Sequence, residues 1–365
     1  MSVDRPPAAE DRVISADDHM DLNVLPEDVF TARVAARWRD LVPRVVATPD
    51  GPFWVAEGRR LRPSGRKPEG MISAGEDRGL RPGVPEQRLE DLDADGIYGS
   101  VIYGPVGPGF VADRELRAVC LRAYNDWSAQ FNRAAGGRLV ALPILPSHHP
   151  DAAMAELQRV AGLGHRGAIV ELFDADPPVF EGGWEAFWAL AQETRLPVHF
   201  HLGGGMHSIV FAPRSWRQPA SVAVAPLQLD EALVGMILAG VFQRYPDVRL
   251  VLAEAGLGWL PYLIRRMDHE WLKYRERVED VHLAEAPSSY FERNVMVTYE
   301  EDDLGLELLT EMGASNIMWA SDYPHGDSTW PNSRRAILES ALGRIDETTR
   351  TRITWSNAAG LYGIT

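Results

Sequence analysis

The chain has a single cysteine, Cys120, in 365 residues. That excludes internal disulfides and any cysteine-rich zinc site. Cys120 falls in the helix-like stretch Leu116-Arg117-Ala118-Val119-Cys120-Leu121, where a thiol serves as a small buried hydrophobe rather than a nucleophile. Positive charge is also scarce. There are 37 Lys and Arg against 52 Asp and Glu, a net charge of -15, which speaks against nucleic acid or an anionic membrane as partner. No apolar stretch approaches the ~20 residues that span a bilayer, and the first residues are polar and proline-rich, unlike a secretory signal. A cytoplasmic location is therefore expected. A glycine-rich phosphate loop is missing as well: the first apolar run leads into Asp17-Asp18-His19-Met20-Asp21. A doubly wound, nucleotide-binding sheet would carry such a loop there.

What is present is a rhythm. Eight short apolar, strand-like runs occur at about 12–17, 99–103, 138–144, 167–172, 196–201, 248–254, 294–299 and 316–321. Helical patterns lie between most of them. Asp113 to Ala135 places apolar residues at helical spacing, Pro150 opens another helix, and further ones run about 183–194, 227–243, 257–276, 303–312, 331–342 and 346–355. Strand then helix, eight times over, predicts an α/β fold of the (β/α)8 TIM-barrel type, one domain over 1–365.

One segment breaks the rhythm. Residues 26–85 form a long insertion between the first and second strands, far beyond a usual connection. Its 51–85 part holds seven Gly and five Pro and is predicted to be irregular. It also carries Arg59, Arg60, Arg62, Arg66, Lys67, Arg78 and Arg81 against Glu57, Glu69, Glu76 and Asp77, a local excess of three positive charges. A solvated surface loop and a lid over the catalytic face both fit, with Phe53 and Trp54 as pocket-facing anchors in the second case.

Chemistry collects where strands end. Asp17 and His19 close the first run, His201 the fifth and Asp322 the eighth. Side chains two apart on a strand share a side, so Asp17 pairs with His19 and His199 with His201. Two carboxylates and two imidazoles at the carboxyl ends of three strands suit one divalent ion, zinc or manganese. A lone histidine or aspartate at a strand end is usually a cap, but four matching donors are harder to explain so. His199, one pleat below, reads as a core histidine. Glu254 ends the sixth run, where an unpaired carboxylate is expensive unless it works as acid, base or ligand; its bland alternative is an ion pair with Arg265 or Arg266. His325, three residues after Asp322, is placed to return to the site as a catalytic or water-holding group, or to remain in an exposed loop. Tyr103 and His148, ending the second and third strands, are candidate substrate contacts, with Glu171 at the end of the fourth.

These stretches resemble the amidohydrolase superfamily. The likeness rests on Ile14-Ser15-Ala16-Asp17-Asp18-His19, Pro197-Val198-His199-Phe200-His201, Ala253-Glu254-Ala255-Gly256-Leu257-Gly258-Trp259 and Ala320-Ser321-Asp322-Tyr323-Pro324-His325. Support comes from Arg88-Leu89-Glu90-Asp91-Leu92-Asp93-Ala94-Asp95-Gly96-Ile97 and the closing Trp355-Ser356-Asn357-Ala358-Ala359-Gly360-Leu361-Tyr362-Gly363. The most similar branch includes aminocarboxymuconate-semialdehyde decarboxylase. The resemblance implies that Asp17 and His19 stand where the superfamily carries His-x-His, that His201 is the fifth-strand ligand, and that Asp322 binds metal and shuttles protons. It places Glu254 where the decarboxylases carry a histidine. No lysine ends the fourth strand, which implies one metal rather than two.

Hydrolases and non-oxidative decarboxylases both belong to this branch. A carboxylate at 254 would repel an anionic substrate by ~4 kcal/mol at ~4 Å and an effective dielectric near 20. On that ground the sequence favours metal-dependent hydrolysis of an amide, ester or lactone in a small cyclic or aromatic molecule, with Asp322 as general base and Glu254 assisting. Decarboxylation of a small aromatic or unsaturated acid is the alternative, and a barrel that binds a small molecule without turnover the third. A homodimer is expected.

Overall fold

Every apolar run that the sequence marks becomes a strand, because each is bounded by polar or proline-containing stretches that cannot continue a ladder. The computed structural model describes residues 12–66, 78–105, 110–203 and 208–365. Lys67, Glu69, Glu76 and Asp77 of the insertion lie outside the described residues. In chain order the strands are β1 (Ile14–His19), β2 (Arg44–Thr48), β3 (Gly51–Ala56), β4 (Arg59–Pro63), β5 (Gly99–Tyr103), β6 (Leu139–Ala141), β7 (Ile144–Leu145), β8 (Ala168–Val170), β9 (Val198–His201), β10 (Leu250–Ala253), β11 (Val295–Tyr299) and β12 (Ile317–Trp319).

Two parallel sheets follow chain order, β1-β5-β6 and β7-β8-β9-β10-β11-β12. The third predicted run is split into β6 and β7 around Leu142-Pro143, since Pro143 has no N–H to give a ladder. Hydrogen bonds bridge the gap: Leu142 N–H donates to Ile102 O and Ile169 N–H to Pro143 O, each at 2.9 Å. At the other end Asp322 N–H donates to Asp17 O (3.0 Å) and His19 N–H to Tyr323 O (2.7 Å), tying the turn after β12 to β1. The architecture is a TIM-barrel-like α/β fold. β5, β9 and β10 are buried at every residue, as strands covered on both faces must be.

Helices pack outside the strands with their ends capped. Asp113 Oδ1 accepts Leu116 N–H (2.8 Å) to start the helix Arg114–Ala134. Pro85, Pro150 and Pro287 each occupy the first turn of a helix, where a missing N–H costs nothing. Cys120 is buried and unpaired, its thiol pushed up to about 12 by burial. Among the described residues one helical run, Arg217–Leu238, has the length and composition to cross a bilayer, its most apolar 18 residues averaging a mean hydropathy of 1.5. Its later part packs Leu229, Ala232, Leu233, Met236 and Ile237 into the core.

The insertion is not wholly irregular. β2, β3 and β4 form an antiparallel sheet. The turn between β3 and β4 places Glu57 (φ 49°) and Gly58 (φ 71°) in the left-handed region, the two-residue hairpin whose twist matches its strands. Neighbours on a strand face opposite ways, and this separates the two expected anchors. Trp54 is fully buried edge-on against Phe30, with ring centroids 5.8 Å apart. Phe53 lies beneath the Arg60 guanidinium, 3.4 Å from its ring centroid. Their partners belong to the insertion and its support, which corrects the expectation that both face a substrate pocket.

Close packing beneath the strand ends gives a test. A Cβ on Gly167 would stand 2.7 Å from His199 Nε2, and His199 is fully buried and tied through Nδ1 to the Tyr103 hydroxyl at 2.7 Å. Gly167→Ala is expected to lower stability by about 1–3 kcal/mol, as overpacking does. Denaturant unfolding checks it, and an unchanged midpoint would show that this layer yields freely.

Candidate metal centre

β1 brings Asp17 and His19 upward together, but not by simple alternation. The pairing with β5 slips by one residue between Ser15 and Asp18. Such a bulge re-aims side chains near functional sites. His201 ends β9 beside Ala253 of β10, and Asp322 follows β12. The four residues fall into two overlapping groups joined at His19. One donor atom each from Asp17, His19 and His201 lie within 4.8 Å of one another, as do those of His19, Asp322 and His325. His19 Nε2 stands 3.7 Å from Asp17 Oδ1 and 3.1 Å from Asp322 Oδ1, and His201 Nε2 stands 3.8 Å from Asp17 Oδ1.

Buried polar atoms normally find a hydrogen bond. Here Asp17 Oδ1, His19 Nε2, His201 Nε2 and Asp322 Oδ1 are all buried with no hydrogen-bond partner. Orphans grouped in this way, Asp17 and His201 on one side of His19 and Asp322 on the other, are what a cation would satisfy. The supporting bonds leave those atoms free. His201 Nδ1 lies 2.6 Å from Leu202 O, and a carbonyl only accepts, so Nδ1 carries the proton and Nε2 keeps its lone pair. Asp17 Oδ2 accepts the Glu254 N–H and the Thr298 hydroxyl, both at 2.8 Å, leaving Oδ1 for the centre.

Glu254 joins them. Its Oε2 is 3.3 Å from His201 Nε2 and 3.9 Å from His19 Nε2, and its side chain keeps 40% of its surface exposed. Arg266 pairs with Glu270 instead, so the ion pair offered as Glu254's bland role is not formed there. Glu254 (φ 52°) and Asp322 (φ 61°) both adopt left-handed backbone. Non-glycine residues seldom do so, and the strain of about 1–3 kcal/mol each is kept mainly at functional sites.

The environment drives the carboxyls apart. Burial, then the neighbouring Asp322, pushes Glu254 up to about 8. Burial also pushes Asp17 up to about 7. Asp322 is held well below the usual carboxylate range, because the charges of His325 and His19 outweigh its burial. His201 and His199 are each pushed down to about 3 by burial and by neighbouring imidazoles. His325 goes the other way. Its Nδ1 meets Asp322 Oδ2 at 3.0 Å and its Nε2 meets Asp21 Oδ2 at 3.2 Å, so both nitrogens donate and the ring is raised well above its ordinary value against the pull of burial. It stacks on His19 with centroids 4.0 Å apart.

The other sequence candidates take outlying places. The Tyr103 ring centroid is 4.9 Å from that of His201, but its hydroxyl is engaged by His199, so it walls the centre from below. His148 is half-buried, its pKa lowered by burial and by the charges of Arg117 and Arg114 against the opposing pull of Asp174. Glu171 is buried, its N–H donating to Ser147 Oγ. Asp21 and Thr298 escaped sequence reading. Asp21 continues the alternation of Asp17 and His19 and was open to detection; nothing marks Thr298 at the end of β11.

Comparison with known proteins agrees with this geometry. The amidohydrolase family profile matches residues 102–364, including His201, Glu254 and Asp322. The chain belongs to the amidohydrolase superfamily. A gamma-resorcylate decarboxylase of Rhizobium sp. (strain MTP-10005) is 28% identical over 291 residues, 74% of this chain and 86% of that one. A 2-amino-3-carboxymuconate-6-semialdehyde decarboxylase of Dictyostelium discoideum is 24% identical, covering 77% of each. Both of these relatives are decarboxylases. Among solved structures, an amidohydrolase from Mycobacterium avium subsp. paratuberculosis superimposes with a TM-score of 0.76 at 21% identity, covering 96% of this chain and 99% of that one. A manganese-bound dihydroxybenzoic acid decarboxylase from Polaromonas sp. superimposes with a TM-score of 0.64 at 19% identity, covering 97% of each.

Metal uptake is the first check. The protein is expected to hold one equivalent of zinc or manganese by elemental analysis, and His201→Ala or Asp322→Asn to lose it while staying folded. Affinity should weaken as pH falls through about 7, because the Asp17 carboxyl then carries a proton that competes with the ion. Affinity unchanged from about pH 8 down to about 6 would remove Asp17 from the ligand set.

Proposed function

We propose that this protein is a metal-dependent, non-oxidative decarboxylase of a small aromatic carboxylic acid. The observation that carries the reading is the convergence of four buried, partnerless donor atoms in a chain whose curated relatives are decarboxylases. Asp17, His19, His201 and Asp322 would hold one divalent ion, which supplies a Lewis acid for the substrate's oxygens when bound. The parallel strands are read here as one closed eight-stranded barrel over 1–365, with the 26–85 insertion as a lid whose sheet and arginines stand beside its mouth.

The preference for hydrolysis rested on the charge at 254, and that argument fails in the folded protein. Burial and the neighbouring Asp322 push Glu254 up, toward its neutral form, which lessens the ~4 kcal/mol repulsion against an anionic substrate. Two carboxyls driven apart by their surroundings divide acid and base work. Asp322 stays ionised, held by His325, while Glu254 keeps a proton beside the cluster. In the reaction the ring carbon–carboxylate bond breaks, its electron pair returns to the ring carbon, and that carbon takes the Glu254 proton as carbon dioxide leaves. His325, fixed between Asp21 and Asp322, maintains the orientation of Asp322.

A homodimer is part of this reading. Sedimentation velocity measures it, and a monomer at working concentration removes it.

The reaction itself is tested by carbon dioxide release from a panel of hydroxybenzoates, with small lactones and amides as controls. Release is expected from one or more hydroxybenzoates, falling on the alkaline side as Glu254 loses the proton it must donate. Glu254→Gln should cut turnover by ~10²–10⁴-fold, the usual contribution of a proton donor, with little change in KM. Lactone or amide hydrolysis without carbon dioxide release would reverse the assignment.

A further inference from the structure

The helix Pro85–Asp95 breaks the ordinary rule that a helix buries an apolar stripe. Arg88, Asp91 and Asp95, on one side of it, are buried along with Leu92. Arg88 has no exposed surface, and neither has its partner Asp18, whose Oδ2 lies 3.4 Å from Arg88 Nη2. Burying such a pair is expensive, and a well-packed apolar pair is often as stable or more so. Packing alone therefore gives no reason for these two charges.

Their bonds give one. Asp18 Oδ1 accepts the Ser15 hydroxyl (2.6 Å), the Ser321 hydroxyl (2.7 Å) and the Tyr323 N–H (3.1 Å). Its other oxygen accepts the Ser100 hydroxyl. One carboxylate thus gathers β1, β5 and the turn after β12. Arg88 Nη1 donates to the carbonyls of His19 (3.0 Å) and Pro82 (3.3 Å), and Nη2 to the carbonyl of Tyr323 (3.3 Å). The Tyr323 carbonyl also accepts the His19 N–H, and the Arg88 guanidinium lies 5.0 Å from the Tyr323 ring centroid. Further out, Asp91 Oδ2 accepts the Tyr323 hydroxyl at 2.6 Å, and Asp95 Oδ1 accepts the Ser333 N–H at 2.9 Å. His19 offers a donor to the centre, and Tyr323 follows Asp322, whose left-handed backbone would relax if its neighbour were released.

We propose that Arg88 and Asp18 are positioning residues that fix the backbone of His19 and of the Asp322–Tyr323 turn so that two metal ligands from opposite ends of the chain keep their spacing. The inference rests on the metal reading above. Neither residue touches the donor cluster itself; both act through main-chain groups.

The test compares the parent with Arg88→Met, Arg88→Lys and Ser321→Ala, the last removing one bond to Asp18 and burying no new charge. Manganese affinity is measured by competition with a chelator, and stability by thermal unfolding of the metal-free proteins. Arg88→Met is expected to bind manganese at least tenfold more weakly, Arg88→Lys to recover part of that loss, and Ser321→Ala to weaken binding several-fold at little change in midpoint. Variants that unfold earlier yet bind manganese as tightly as the parent would reduce the pair to scaffolding and overturn the inference. If Arg88→Met does not fold, unchanged affinity in Ser321→Ala overturns it equally. A parent that takes up no ion sinks the metal reading, and this inference with it; a binding parent with unaffected variants sinks this inference alone.

Discussion

Four buried donor atoms without partners are the constraint around which this protein is built. Uncompensated, each would carry a desolvation penalty of about 1–3 kcal/mol, more for the charged groups. The fold nevertheless directs the hydrogen bonds of Asp17 and His201 to their other atoms. The Leu202 carbonyl takes the proton side of His201, Thr298 and the Glu254 N–H occupy the far oxygen of Asp17, and His325 braces Asp322. A structure that orients polar atoms toward one another and then withholds their partners is organised for a cation.

The same centre sets the proton chemistry. Asp322 and Glu254 have the same functional group, follow strands separated only by β11 and share a left-handed backbone, yet their surroundings drive them in opposite directions. Imidazoles on two sides hold Asp322 ionised, whereas Glu254 sees mainly burial and other carboxylates. One supplies charge and the other stores a proton. Reading 254 by residue type gives a fixed negative charge and points to hydrolysis; reading it by environment gives a neutral acid compatible with an anionic substrate.

Around this lies a second ring of polar bonds, dominated by Asp18, Arg88, Asp91 and Tyr323, which joins β1 to the turn after β12. It solves a problem inherent in the topology. The ligands come from positions about 300 residues apart in sequence, and strand pairing alone fixes them only to the tolerance of the ladder. Side chains that grip carbonyls and amides across the seam narrow that tolerance. The insertion attaches at the same place, since Arg78 and Arg81 both bond Asp91.

Much of this was legible in the residues and part was not. Eight apolar runs give eight strand positions because period and punctuation are local properties, and Asp17, His19, His201, Glu254 and Asp322 announce themselves as polar groups at strand ends. The split around Pro143 was equally open to view. The hairpin at Glu57-Gly58 was masked by the glycine and proline content around it. Phe53 and Trp54 were misplaced because side-chain direction on an inserted sheet depends on what that sheet packs against. Sequence by itself determined the order of strands and the donor types at their ends, since these follow from composition and spacing. Only the tertiary structure decided which oxygen of Asp17 faces inward, which histidine nitrogen is free and that Glu254 and Asp322 are pushed in opposite directions, because each depends on charges and dipoles contributed by distant parts of the chain.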